Sequence, residues 1–412
     1  MSAPATRRRP PPRKPARAAR PAARPGMGQA WRELSRSGVP TRESFLLTAT
    51  ILVLTVVGLV MTFSASFVAS AAETGGAFDI FKRQLTWCIL GAPLLVGAAR
   101  ADYRVWRRLA GPLLAVSLLA AVVVVIPGVG VSVNGARRWI ELGPMRFQPT
   151  ELLKLSVPMY LAHVLAGRWT RLREGDLAAL LFPALPLLAV VGVLVMLEPD
   201  LETAALIVAI GGMVLYLAGL PARMLGAGLG AGLVLGTAGI LMEDFRRQRF
   251  AAWLNPMGHA DTFGFQTVQG FIALGNGGLT GVGLGQGRGK WLYVPNAHTD
   301  FIFAIIGEEL GLFGALFVLA LFVTLAVAGV RAARQAADPF GRLLAGAITG
   351  WLMLQAGINI GSVLGLLPVT GVTLPMVSFG GSSLVFTMLG LGILLSIARH
   401  PAEPAVVPVG RP

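Results

Sequence analysis

Ten apolar stretches of about twenty residues run through this chain, roughly 45–65, 81–99, 109–127, 150–167, 178–197, 203–220, 224–241, 301–330, 341–363 and 379–398. A helix needs about 20 consecutive apolar residues to cross a bilayer. In lipid its backbone polar groups must be satisfied within the segment itself. The expected fold class is therefore an all-α polytopic membrane protein with ten transmembrane helices. Charge agrees: 13% of the 412 residues are charged, about half the roughly 25% usual in soluble domains. Most soluble enzyme classes fall away on that ground. The eighth stretch is long enough to tilt or to project beyond the lipid.

Sidedness follows from the basic residues. Eleven of the 35 lie before residue 45, among Pro and Ala. Residues 1–44 cannot bury enough apolar surface to offset chain entropy, and they are expected to be a disordered cytoplasmic tail. Alternating from there, cytoplasmic loops receive Arg100, Arg104, Arg107 and Arg108, then Arg168, Arg171 and Arg173. Arg223 follows, then Arg331, Arg334 and Arg342, and Arg399 opens a short cytoplasmic tail over 399–412. Both termini are thus expected inside. Ala69-Ser70-Ala71 imitates a signal-peptidase site, but the preceding apolar run is too long for a signal sequence, so the first span is read as retained.

Some cations fall outside against this preference: Lys82 and Arg83, Arg137 and Arg138, Arg246, Arg247 and Arg249, then Arg288 and Lys290. Snorkelling at helix ends explains Lys82 and Arg83. The Arg246–Arg249 cluster suits equally an interface or an anionic substrate on the outer face. The single cysteine, Cys88, allows no intrachain disulfide, and the four histidines show no metal-ligand spacing.

The largest segment between spans is the extracytoplasmic loop 242–300. Its aromatic residues argue against disorder, and its glycine run, GNGGLTGVGLGQGRG (275–289), fits neither a dinucleotide fingerprint nor a P-loop. Glycine there would let backbone approach a ligand or a membrane surface. The loop ends in Pro295-Asn296-Ala297-His298-Thr299-Asp300. Thr299 or Asp300 can cap the eighth helix; Asp300 can also be a base at the membrane surface, kept ionised by the helix N-terminus. Glu308 and Glu309 sit in apolar sequence, where a carboxylate is costly unless paired or wet. Lys154 is one candidate partner. It follows Gln148-Pro149-Thr150-Glu151, where Pro149 and Glu151 suit a capped helix start, so a local Glu151–Lys154 pair is the alternative. On the same outer side lie Glu198-Pro199-Asp200 and PMVSFGGSS (375–383), which includes Ser382.

Together these motifs resemble the SEDS glycosyltransferases, the FtsW and RodA proteins of bacterial shape, elongation, division and sporulation. The resemblance covers about 45–398 and rests on PNAHTDFIFAIIGEELG (295–311), GGLTGVGLGQG (277–287), FQPTELLKL (147–155), LEPDLET (197–203) and LPMVSFGGSSL (374–384). MTFSAS (61–66) and the basic tail are closer to the FtsW branch. Two departures stand out. Glu202 occupies the glycine of the family's usual Pro-Asp-Leu-Gly-Thr, and Asn296 replaces a frequent glutamate.

The resemblance implies ten transmembrane helices and polymerisation of lipid II into β-1,4 glycan strands at the outer face of the bacterial cytoplasmic membrane, at the septum for an FtsW-like protein. It places the family's essential aspartate at Asp300. It also implies a class B penicillin-binding protein as partner, alongside other divisome membrane proteins. No nucleic acid is expected among the partners.

The residues suit that chemistry. A sugar hydroxyl needs a positioned base, and a departing lipid diphosphate needs cations. Asp300 is the expected base, with Arg246, Arg249 and Lys154 around the diphosphate and Glu151, Glu308, His298 and Ser382 as further substrate-site candidates. A divalent cation bridging diphosphate and Asp300 is compatible with this set. The competing classes are a lipid II flippase, which intramembrane acids also suit, and a non-catalytic division scaffold.

Overall fold

The computed structural model describes residues 38–133, 136–143 and 145–402. Most of the expected basic tail, residues 1–37, lies outside the described residues, as does 403–412. Among the described residues thirteen α-helices and one small sheet form.

Each of the ten apolar stretches becomes a helix. They are α1 (Arg42–Thr74), α2 (Asp79–Arg100), α3 (Arg104–Val125), α4 (Pro149–Gly167), α6 (Leu177–Met196), α7 (Leu201–Leu217), α8 (Ala222–Leu241), α11 (Ile302–Gln335), α12 (Pro339–Val363) and α13 (Ser382–Ala398). A one-turn helix, α5 (Trp169–Arg173), follows α4. Six of the ten, α1, α3, α6, α8, α11 and α12, are long and apolar enough by themselves to cross a membrane. The remaining four are shorter or charged: α7 and α13 have 17 residues each, α2 begins with Asp79, Lys82 and Arg83, and α4 holds Glu151 and Lys154.

Helix ends follow local chemistry. Thr41 and Ser44 form a reciprocal capping box at the start of α1, with both bonds at 3.0 Å. Asp176, Asp200 and Asp338 cap α6, α7 and α12 by accepting the amides of Ala179, Thr203 and Gly341. Pro149 takes the first position of α4 as its fixed φ predicts, but no side chain caps that helix.

The core is built from α4, α11, α12 and α13, whose buried residues run almost without a break through α13. Glycine permits the closest approach. Gly392 lies against the backbone of Leu95, and Gly91 lies against Met388, so α2 and α13 pack at short range. At the periphery, α8 has no buried residue.

One feature departs from the all-α expectation. A three-stranded antiparallel sheet, β1 (Val131–Val133), β2 (Ala136–Leu142) and β3 (Met145–Phe147), joins α3 to α4. Its strands are too short to show against runs of twenty apolar residues, although Met145, Phe147 and Ile140 alternate with Arg146 and Glu141 at period two. The 242–300 segment is also ordered, as α9 (Asp244–Leu254), α10 (Phe265–Gly277) and a π-helical turn at Gly289–Tyr293.

One edge of the glycine run is bonded to α11, while Leu279, Val282 and Leu284 remain exposed. Its amides at Val282 and Gly283 donate to the carbonyls of Glu308 and Glu309, both at 3.0 Å. There α11 breaks, with Gly311 at φ 68 and ψ −166, a conformation that glycine alone adopts cheaply. The stretch before the break is buried in protein, which accounts for the excess length of the eighth apolar segment.

Candidate functional site

A cavity of about 1130 Å³ opens among α2, the β-sheet, α4, α7, α9, α10 and the segments that precede α11 and α13. Its wall collects polar groups from distant parts of the chain. The four helices that are short or charged, α2, α4, α7 and α13, all contribute to it.

Asp300 lies on this wall, 8% exposed. The expected capping role is not what the structure shows: α11 begins two residues later, and no side chain bonds its first amides. Instead Asp300 Oδ1 accepts the Thr299 hydroxyl at 2.9 Å, and Oδ2 accepts Gln266 Nε2 at 3.4 Å. The backbone is held from the other side, where buried Asn359 donates to the Asp300 carbonyl at 2.8 Å and to the Val372 carbonyl at 2.7 Å. Asn296, which begins this turn, has φ 53. Asparagine tolerates that region better than a glutamate would, so the departure at 296 fits the local backbone.

Burial pushes the Asp300 carboxyl above its ordinary range, against the Thr299 and Gln266 hydrogen bonds and the charge of Arg249. A helix N-terminus would act the other way and keep it ionised. Desolvation is the larger effect because the side chain is nearly enclosed.

Arg249 and Lys154 share the cavity wall with Asp300. Arg249 rises from α9, pairs with Glu202 at 3.2 Å, bonds the Val369 carbonyl and lies over the Phe245 ring. Glu202 is thus the counter-ion of Arg249 and makes no turn, since α7 has already begun. Lys154 pairs with Glu151 at 2.7 Å and donates to Gln355 Oε1 at 3.2 Å. Both Glu151 and Lys154 are buried, so the local pairing holds and the Lys154–Glu308 alternative does not.

Four other candidates lie off this wall. Arg246 turns to Glu243 at 3.4 Å and to the Gly239 carbonyl. Glu308 accepts the amides of Arg288 and Gly289 at 2.9 to 3.3 Å, and its neighbour Glu309 pairs with buried Lys290 at 3.0 Å. His298 packs against the Phe379 ring. Ser382 accepts the Gln148 amide at 3.2 Å and so joins the starts of α13 and α4.

Several groups had no decisive mark in the sequence. Gln266 is an unremarkable polar residue of α10. Asn359 carried a usable sign, an amide one turn after Gln355 in an otherwise apolar helix. Arg138, whose guanidinium binds the Glu198 and Pro199 carbonyls and lies 3.6 Å from Asp200, is set on the wall by β2. Beside it Glu198 is 1% exposed with neither carboxylate oxygen hydrogen-bonded. Burial first, and Asp200 second, raise its pKa to about 8.

Among the described residues no three or more metal-ligating side chains cluster. Asp300 has neutral Thr299 and Gln266 as its bonded neighbours. A divalent ion at this turn would find the Asp300 carboxylate and these neutral groups.

A profile of FtsW, RodA and SpoVE proteins, described as "Cell cycle protein", matches residues 44–403. The chain belongs to this FtsW/RodA/SpoVE family. Over 379 residues it is 40% identical to the "Probable peptidoglycan glycosyltransferase FtsW" of Mycobacterium tuberculosis, covering 91% of this chain and 71% of that protein. It is 37% identical to the stage V sporulation protein E of Bacillus subtilis over 368 residues, covering 87% and 98%. Among solved structures, a chain of a peptidoglycan synthase complex that coordinates polymerization and crosslinking superposes with a TM-score of 0.69 at 31% identity, covering 86% and 96%. The rod-shape-determining protein RodA of Thermus thermophilus gives 0.61 at 29%, covering 87% and 97%. Family membership accounts for the reach of the five motifs: four contribute residues to the cavity wall, and the fifth, 277–287, bonds the backbone of α11.

Proposed function

We propose that this family member is the glycosyltransferase that polymerises lipid II into β-1,4 glycan at the outer face of the cytoplasmic membrane. The observation that carries the reading is Asp300: an enclosed carboxylate on the wall of a large cavity lined by cations. In this reading all ten apolar helices cross the membrane, both termini are cytoplasmic and the cavity faces outward. The septum is its place of action, and a class B penicillin-binding protein and other divisome membrane proteins are its partners.

Asp300 takes the proton from the acceptor's sugar hydroxyl as that oxygen attacks the anomeric carbon of the donor. The bond from that carbon to the diphosphate breaks, and the diphosphate departs with the electron pair. An α-linked donor gives a β product in one inversion, so one base suffices. Arg249 and Lys154 offset the charge that develops on the departing diphosphate. A raised Asp300 pKa brings the base closer to the working pH, where general bases are most effective. The polar wall is gathered at the outer helix ends, which suits surface chemistry better than the through-path of a flippase.

The test is polymerisation of purified lipid II by the protein with its transpeptidase partner. Wild type should make polymer, and Asp300→Asn should lose about 10²-fold or more, the usual share of a general base. Equal polymer from both proteins would remove Asp300 from the chemistry.

A further inference from the structure

Six basic side chains line the cavity, and five of them are already matched by an acid. Lys82 has Asp79 at 3.3 Å, Arg138 has Asp200 at 3.6 Å, and Arg146 has Glu141 at 3.2 Å. Lys154 has Glu151 and Arg249 has Glu202. Arg83 is exposed and has no acidic partner among the described residues. An anion entering this cavity meets one guanidinium whose charge is not already offset.

Arg83 shares the cavity wall with an unpartnered hydroxyl at the start of α13. Its neighbour Gln84 is buried and donates to the Ser378 carbonyl at 3.1 Å, and it accepts the Gly380 amide at 3.4 Å. The first turns of α2 are thereby fixed on the segment that starts α13. Ser383 in that start is 6% exposed and faces the cavity, yet its hydroxyl makes no hydrogen bond among the described residues. No side chain caps α13. The Ser383 and Leu384 amides of its first turn already donate to the Gly380 and Gly381 carbonyls, so this N-terminus adds positive potential for an anion and no free amide at those two positions.

We infer that Arg83, Ser383 and the start of α13 form a second diphosphate subsite, which holds the lipid diphosphate of the acceptor. The inference rests on the polymerase reading. Joining two lipid-linked sugars brings two diphosphates to one cavity, and one departs while the other remains intact. Arg249, on α9, serves the departing group. The retained group needs a cation that no internal acid competes for, and Arg83 is that cation. An anionic phospholipid headgroup shares this chemistry, so the test separates the two sources.

Two measurements decide it. In the first, native mass spectrometry counts lipid II bound to Asp300→Asn protein, which holds substrate without turnover. Two bound lipids are expected, falling to one when Arg83→Ala and Ser383→Ala are added, with excess phosphatidylglycerol displacing neither. Two lipids retained by the triple variant, or a second lipid displaced by phosphatidylglycerol, would overturn the subsite.

In the second, polymerisation is followed against lipid II concentration with the transpeptidase partner present. Arg83→Ala should raise KM by about tenfold, the usual cost of one charge-assisted contact, with kcat within about threefold. Arg83→Lys should recover most of the loss. Ser383→Ala, which leaves α2 untouched, should raise KM in the same direction by a smaller factor. An unchanged KM in Ser383→Ala and Arg83→Ala, with wild type active, defeats the subsite and leaves the polymerase intact. A wild type that makes no polymer defeats the polymerase reading itself.

Discussion

Removing Lys290 tests the claim that the glycine run is clamped from inside. Lys290 Nζ lies 3.0 Å from Glu309 Oε1 and 3.3 Å from the Ser64 hydroxyl, and the paired side chains are 6% and 0% exposed. Breaking a buried ion pair from one side usually costs about 3–5 kcal/mol, because the remaining charge stays desolvated. Here Glu309 would keep the Ser64 hydroxyl at 2.7–2.8 Å and the Gly285 amide at 3.1 Å. Lys290→Met should therefore fall near the low end, about 3 kcal/mol. Lys290→Met with Glu309→Gln removes both charges and should recover most of that loss. The assay is reversible unfolding in mixed micelles of the four proteins of a double-mutant cycle. A cost under about 1 kcal/mol for Lys290→Met, or additive single effects, would show the pair to be solvated or uncoupled.

Other consequences are separately measurable. Because burial raises the Asp300 carboxyl and the working form is ionised, polymerisation should fall as pH drops through that raised value; a rate flat from about pH 5 to 8 would contradict it. Glu198 binds its proton more tightly folded than unfolded, so stability should decline as pH rises from the ordinary value of 4.5 to about 8. Glu198→Gln should abolish that slope, which unfolding midpoints at about pH 6 and 9 would reveal. Glu202→Gln should change stability by less than about 1 kcal/mol, since the Arg249 pair is more than a quarter exposed on both sides; a larger loss of folded protein would mean the pair is structural. Gly311→Ala should sharply lower folded yield, because φ 68 strains any side chain and the new methyl would meet the backbone of Gly281 and Leu279.

What could be read before folding was whatever repeats along the chain. The ten apolar helices appear because each is a long local run. Pro149 at the first turn of α4 and the Glu151–Lys154 pair appear because their partners are within one turn. Groups that act across the fold left weaker marks. Lys290 stands in the sequence as one more outer cation, yet it pairs with Glu309, and the glycine run bonds the backbone of α11 through Val282 and Gly283. Asp300 drew two readings from one sequence. The cap failed because the turn continues through Phe301 and α11 starts at Ile302, two residues beyond Asp300, a detail no propensity fixes.

The cations show most plainly what a sequence withholds. Position on the outer side made Arg246 and Arg249 equal candidates and set Lys82 and Arg83 aside as headgroup contacts. After folding, Arg246 turns to Glu243 and Arg249 to Glu202, while Arg83 stands on the cavity wall without an acid. The distinction depends on which acids arrive beside which bases: Glu243 is three residues from Arg246, whereas Glu202 reaches Arg249 from α7. An apolar chain has few acids to distribute, with 20 against 35 basic residues. Leaving one lining cation unmatched is then a property of the fold. An anion gains more from such a cation than from one whose charge a neighbour already offsets, because it need not displace that neighbour. By that argument the free position, not the densest cluster, is where substrate selectivity should be most sensitive to mutation.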